Sequence, residues 1–238
     1  MTVDLLAIAA HRDDVELTCA GALIKAVDQG YRTGILDLTA GETGTRGTAA
    51  LRASEAEAAA RVMGVSERRN AGLSDARLCN TDETRRAVVE KLRHFRPRVV
   101  ILPFPVGRHP DHRIASEMAR DACYLAGLAR YDAAGEPHRP HKVLYALAYR
   151  EDPVKPTFVV DISDQFSRKL EAIRCYASQF DGALNAGEIF PTGQDLYGLI
   201  ETQNAHYGSL IRTRYGEPYF THETVRIDDV VKLEVQSM

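Results

Sequence analysis

The chain has no Cys-x-x-Cys pair; Cys19, Cys79, Cys123 and Cys175 lie far apart in its 238 residues. Such spacing suggests neither a disulfide framework nor a thiolate zinc site, and the four thiols are expected to be reduced, as in a cytoplasm. No apolar run approaches the ~20 residues that a membrane span needs. The first residues lack a cationic segment with a cleavage site, so the chain is expected to be neither membrane-embedded nor exported by a visible signal. Lysine and arginine are spread along the sequence, the net charge is -3, and the electrostatic footprint of a nucleic-acid binder is missing. No repeat, linker or low-complexity tract interrupts the chain, so residues 1–238 read as one domain. With 45% hydrophobic and 26% charged residues, the composition is that of an ordinary globular protein with length enough for a large core.

What is present is alternation of strand and helix signals. An apolar strand over residues 3–10 leads into a helix from near Asp13 to Gln29, with Leu17, Ala20, Leu23, Ile24 and Val27 at helical spacing and Gly30 as its stop. A strand over 33–39, a Gly/Thr-rich loop over 40–48 and a helix over 49–63 follow. The pattern continues with a short strand at 70–73, a helix at 82–95, a buried strand at 99–102, a helix at 114–125 and a polar loop at 130–140. Strands are then expected at 143–149 and 158–162, a helix opened by Ser163 or Asp164 and reaching about Ala177, an irregular stretch at 182–193, a helix at 196–211 and an edge strand at 223–235. Repetition of this kind predicts an α/β fold with a parallel sheet covered on both faces.

The chemistry gathers at two strand ends. The first strand runs into Ala10-His11-Arg12-Asp13-Asp14-Val15-Glu16, and in open α/β sheets ligands sit outside the carboxyl ends of strands. Asp13 followed by Glu16 also has the form of a helix cap with its capping-box partner. Capping leaves the histidine unexplained, and a second cluster, Gly107-Arg108-His109-Pro110-Asp111-His112, also follows an apolar strand. A catalytic zinc site typically has three protein ligands and one open position, and His11, Asp14 and His112 make such a set. Two histidines and one carboxylate suit iron(II) as well as zinc. Asp13 is placed to take a proton from water. His109 is left to act as an imidazolium that stabilises an oxyanion or protonates a leaving amine, with Asp111 orienting its ring. Together these groups describe amide hydrolysis.

At these residues the sequence resembles the LmbE-like, or PIG-L, family of metal-dependent N-deacetylases. The family's A-H-P-D-D-x-E motif stands as residues 10–16, with Arg12 where proline is usual, and its H-P-D-H motif stands intact as His109-Pro110-Asp111-His112. The resemblance implies a Rossmann-like three-layer α/β/α sandwich with a mostly parallel sheet. It also implies His11, Asp14 and His112 as zinc ligands, Asp13 as general base, and His109 with Asp111 as the charged pair. Residues 41–48, Leu51-Arg52-Ala53-Ser54-Glu55-Ala56, Tyr176-Ala177-Ser178-Gln179-Phe180 and Tyr215-Gly216-Glu217-Pro218 look like the branch that makes bacillithiol, whose members deacetylate N-acetylglucosaminyl-malate. That branch implies a small-molecule N-acetylglucosaminide as partner, a homo-oligomer of hexameric order, and Arg52, Arg108 and Arg46 as contacts to malate. Planar guanidinium donors suit its two carboxylates.

Other signals carry ordinary readings. Gly41-x-x-Gly44-x-x-Gly47 lacks the dinucleotide spacing, so no nicotinamide cofactor is implied. Ser74, in Gly72-Leu73-Ser74-Asp75-Ala76, reads as a loop hydroxyl rather than a nucleophile, and Arg52 could simply pair with Glu55 along its own helix. His94, His138, His141, His206 and His222 have no partners at ligand spacing. Two alternatives to the malate substrate stay open: another N-acetylglucosaminyl compound or thiol conjugate, and a non-catalytic metal-binding protein. Against the latter, a structural zinc site is usually closed by four protein ligands.

Overall fold

The computed structural model describes residues 2–148, 154–181 and 195–235. One seven-stranded sheet runs β3 (Glu67–Leu73), β2 (Thr33–Thr39), β1 (Leu5–Ala9), β4 (Val99–Pro103), β5 (Lys142–Ala146), β7 (Gly216–Phe220), β6 (Phe158–Asp161). The first five are parallel to one another, and β7 is antiparallel to both of its neighbours. Side-chain alternation divides the core between the two faces. Leu6, Ile8, Leu36, Leu38, Val100 and Leu102 pack under α4 (Asp82–Phe95) and α5 (Pro110–Leu125). Ala7, Ala9, Ile35 and Ile101 pack under α2 (Ala20–Asp28), α3 (Ala49–Met63) and α6 (Phe166–Arg174). The three-layer sandwich with a mostly parallel sheet is therefore the observed fold. No helix among the described residues is long and apolar enough to cross a membrane.

Several elements differ from expectation, each for a physical reason. The single helix expected to reach Gln29 is two, α1 (Asp14–Thr18) and α2, broken at Cys19. The buried carboxylate of Glu217 accepts the Gly21 and Ala22 N–H groups at 2.8 Å each, satisfying donors at the start of α2. Strand β3 begins at Glu67 rather than 70, because its charged residues belong to a sheet edge, where charge is common. Sequence reading misses β7, since Pro218 argues against an interior strand, yet Pro218 pairs with Val159 and its carbonyl accepts from Leu147. The edge strand expected at 223–235 is absent: that segment is irregular apart from one 3-10 turn at Val230–Lys232. The helix expected from Ser163 starts at Phe166, ends at Arg174 and is followed by α7 (Ala177–Phe180). The Ser163 hydroxyl is used on Asp161 instead. Helix α8 (Leu196–Leu210) matches its expected span closely. Residues 182–193, read as irregular, lie outside the described residues, as does the end of the strand expected at 143–149. All four cysteines are free.

Candidate active site

The strand order reverses between β1 and β4, and at such a switch point the loops leaving the two strands diverge and open a crevice. A cleft of about 610 Å³ opens there, lined among others by His11, Asp13, Asp14, Arg108, His109 and His112. The loop after β1 is fixed from behind. The Arg12 carbonyl accepts from the Arg68 guanidinium and the Tyr176 hydroxyl, and the Arg12 side chain donates to Ala49 O at 2.5 Å. Asp13 precedes α1 but makes no side-chain cap, and Glu16 binds Arg68 and Tyr176. The capping-box alternative is therefore not what these carboxylates do. Asp14 Oδ2 instead accepts the His11 N–H at 2.8 Å, closing the turn that brings residues 11 and 14 together. On the other side His109 caps α5, with Pro110 at its first position, where a missing N–H costs nothing.

Donor atoms of three residues converge between the loops. His11 Nδ1 lies 3.3 Å from Asp14 Oδ2, His112 Nε2 lies 3.1 Å from Asp14 Oδ1, and the two ring nitrogens are 3.4 Å apart. Tetrahedral coordination with bonds of about 2.0–2.1 Å has ligand-to-ligand edges of about 3.3–3.4 Å, so the set has the size of a zinc site. Its electrostatics ask for positive charge. Burial lowers the pKa of His11, but Asp14, Asp13 and Asp75 outweigh it and raise the value to about 9. Burial likewise opposes His112, whose pKa Asp14 raises, while His112 and His11 overcome burial to hold Asp14 well below the usual carboxylate range. A second group, His11, His109 and Asp111, also gathers within 4.8 Å.

Around this set the flanking groups take their places. Burial raises the pKa of Asp13, Arg52 opposes that rise, and the pair meet at 3.1 Å. Arg52 is 5% exposed, and its guanidinium also donates to Gly41 O at 2.9 Å. Gly41 has φ +66, and a Cβ there would fall 2.1 Å from Arg52 Nη1, so this turn needs glycine. Glu55 is not the partner of Arg52; it binds the Ser178 N–H and hydroxyl. Arg108 lines the cleft, whereas Arg46 does not line it and donates to Asp181 O. Asp111 meets His109 through its backbone N–H, 3.2 Å from Nδ1. Its carboxylate accepts from Ala76 N and stands 3.5 Å from His11 Nε2, so it does not orient the His109 ring as expected. Burial, then His112 and His11, lower the His109 pKa. Ser74 is exposed and outside the cleft lining. Sequence reading missed Asp75, which lies 3.0 Å from His11 Nε2. The signal was present, a carboxylate just past a strand end, but its relevance depended on the strand order.

A doubly wound α/β sheet carrying a histidine–carboxylate donor cluster at its switch point has the arrangement of a candidate metal centre. Residues 6–123 match PIG-L, GlcNAc-PI de-N-acetylase. The chain is 30% identical over 232 residues to the diacetylchitobiose deacetylase of Thermococcus kodakarensis, covering 90% of this chain and 80% of that enzyme. It is 27% identical over 193 residues to a Bacillus anthracis protein named "Probable N-acetyl-alpha-D-glucosaminyl L-malate deacetylase 2", covering 74% and 81%. The crystal structure of a conserved protein from Thermus thermophilus superposes with a TM-score of 0.85 at 34% identity, covering 95% of this chain and 98% of that one. The chain belongs to the PIG-L family and is a metal-dependent N-deacetylase.

Proposed function

We propose that the chain hydrolyses the acetamide of an N-acetylglucosaminide whose remaining part is uncharged, with zinc held by His11 Nδ1, Asp14 and His112 Nε2. The observation that carries this reading is the convergence of His11 Nδ1, His112 Nε2 and the Asp14 carboxylate, with separations of 3.1–3.4 Å, beside Asp13 and His109 in one cleft. When bound, zinc supplies an acidified water and a Lewis acid for the amide carbonyl; iron(II) suits the same ligands. Asp13 takes the proton of the attacking water and passes it to the leaving amine, while Arg52 holds the carboxylate in place. His109 accepts a backbone N–H at Nδ1, so the neutral ring carries its proton on Nε2 and offers it to the developing oxyanion. A positive ion nearby would lower the His109 pKa further and keep that ring neutral.

The uncharged partner is favoured because Arg52 is engaged by Asp13 and Gly41, and Arg46 donates to Asp181 O and does not line the cleft. A malate aglycone is the second reading, supported by Arg108 in the cleft lining and by the similarity to the Bacillus anthracis protein. Free amine released from diacetylchitobiose, an alkyl N-acetylglucosaminide and N-acetylglucosaminyl-malate by zinc-loaded protein separates the two. The first reading expects kcat/KM to be highest on an uncharged substrate; a clear preference for the malate conjugate overturns it. No amine from any of the three removes both. Replacing His11, Asp14 or His112 with alanine should each deplete bound zinc, and full zinc content in all three variants refutes the ligand set.

A further inference from the structure

The ring of His11 has two nitrogens, and it is Nδ1 that faces Asp14 and His112. Its Nε2 points the other way, toward the turn between β3 and α4, where Asp75 Oδ1 stands at 3.0 Å. Resting on the ligand assignment above, we propose that Asp75 is a positioning residue of the metal centre. It fixes the His11 ring with Nε2 protonated and Nδ1 bare, and it ties that ring to the cleft loop that carries Thr43.

Each part of the turn bears on this role. Asp75 is 5% exposed. Its Oδ2 accepts the Thr43 N–H at 2.9 Å and the Thr43 hydroxyl at 2.7 Å, leaving Oδ1 directed at His11. The Asp75 N–H donates to Glu42 Oε1 at 2.8 Å, so the residue is held at its backbone by Glu42 and at its carboxylate by Thr43. Ala76 has φ 57, left-handed backbone that is unfavourable for alanine and persists only where surroundings enforce it. In this conformation the Ala76 N–H donates to Asp111 Oδ2 at 2.8 Å, and that same oxygen is 3.5 Å from His11 Nε2. A neutral imidazole has one N–H and one lone pair. With acceptor oxygens at Nε2 the proton stays there, and the lone pair is left on Nδ1 for the metal. Partners of this kind set both tautomer and ring orientation of metal-binding histidines, and their loss typically costs 10–100-fold in metal affinity. The bonds to Thr43 and Glu42 would suffice to fold the loop. The orientation of Oδ1 toward His11 is the feature that a purely structural role leaves unexplained.

The test is zinc affinity by chelator competition, with histidine ¹⁵N NMR of the zinc-loaded protein as a second readout. Asp75→Ala should weaken zinc about 10- to 100-fold and remove the single Nε2–H tautomer of His11. Asp75→Asn should also weaken it, since one amide oxygen cannot serve both His11 and the Thr43 N–H; this isosteric variant carries the test if the alanine variant does not fold. Thr43→Val, which keeps the backbone donor, should lose less zinc affinity than either Asp75 variant. Wild-type affinity in both Asp75 variants overturns the proposal, and so does an equal loss in Thr43→Val, which would make the effect one of loop folding. His112→Ala separates this failure from failure of the ligand set. If it keeps its zinc, the ligand set is wrong; if it loses zinc while the Asp75 variants do not, only the role of Asp75 falls.

Discussion

Arg52→Met tests whether this arginine serves the general base or the substrate. The guanidinium lies 3.1 Å from Asp13 Oδ1 and is almost wholly buried, and methionine keeps much of its stem volume. Arg52 is the largest influence opposing the burial that raises the Asp13 pKa. Removing it lets that pKa rise further. A base works only above its pKa, so the acid limb of kcat/KM should move to higher pH. A hydrogen bond to a charged group contributes about 1.5–3 kcal/mol, which corresponds to roughly 10- to 150-fold in kcat/KM at neutral pH. Part of that loss should return as the pH is raised and Asp13 ionises. The assay is a pH profile of amine release from an uncharged N-acetylglucosaminide, where kcat should fall more than KM rises. An unmoved acid limb with a loss confined to the malate-bearing substrate would refute the reasoning and make Arg52 a carboxylate clamp.

Three further outcomes are expected. Asp13→Asn should retain zinc and fold while losing about 10²-fold or more in kcat, the usual scale for a general base, and a fully active variant rules the role out. His109→Ala should lower kcat by about 10²–10³ with zinc content unchanged, the scale of a lost oxyanion donor; a change in KM alone would count against it. Lys169→Met should destabilise the protein by about 3 kcal/mol in urea titrations. Lys169 is 1% exposed, and its ammonium pairs with buried Glu217 at 2.7 Å, so the variant strands a carboxylate in the interior. The helix N–H groups and the Tyr219 hydroxyl on Glu217 hold the expected cost to the lower end of the roughly 3–5 kcal/mol range, and a loss below about 1 kcal/mol would show that they suffice alone.

Much of this molecule was legible because its signals are local. Strand 33–39 is read from its apolar run, helix 49–63 from its alanine-rich composition and helix 82–95 from its one-sided apolar residues, all at their observed bounds, and each of these is a property of neighbouring residues. Strand β7 was not legible, since Pro218 contradicts a strand locally and is tolerated only by its place between β5 and β6. The tail over 223–235 failed in the opposite way: it alternates like a strand, but no edge receives it. His11 and Asp14 come together within one turn, and His109 to His112 within the first turn of α5, so the motifs themselves suggest the cluster.

Sequence alone determined the types of residue that meet at the two strand ends, because strand–loop–helix geometry places such residues at one edge of the sheet. Tertiary structure decided how they are used. Asp75 reaches His11 only because β3, β2 and β1 lie side by side, and Arg52 reaches Asp13 only because α3 packs beside the first loop. Asp111 turns its carboxylate toward Ala76 and His11 rather than to its neighbour His109. These partners lie far apart in sequence, and only the packing of strands and helices into one core fixes which distant carboxylate faces which ring.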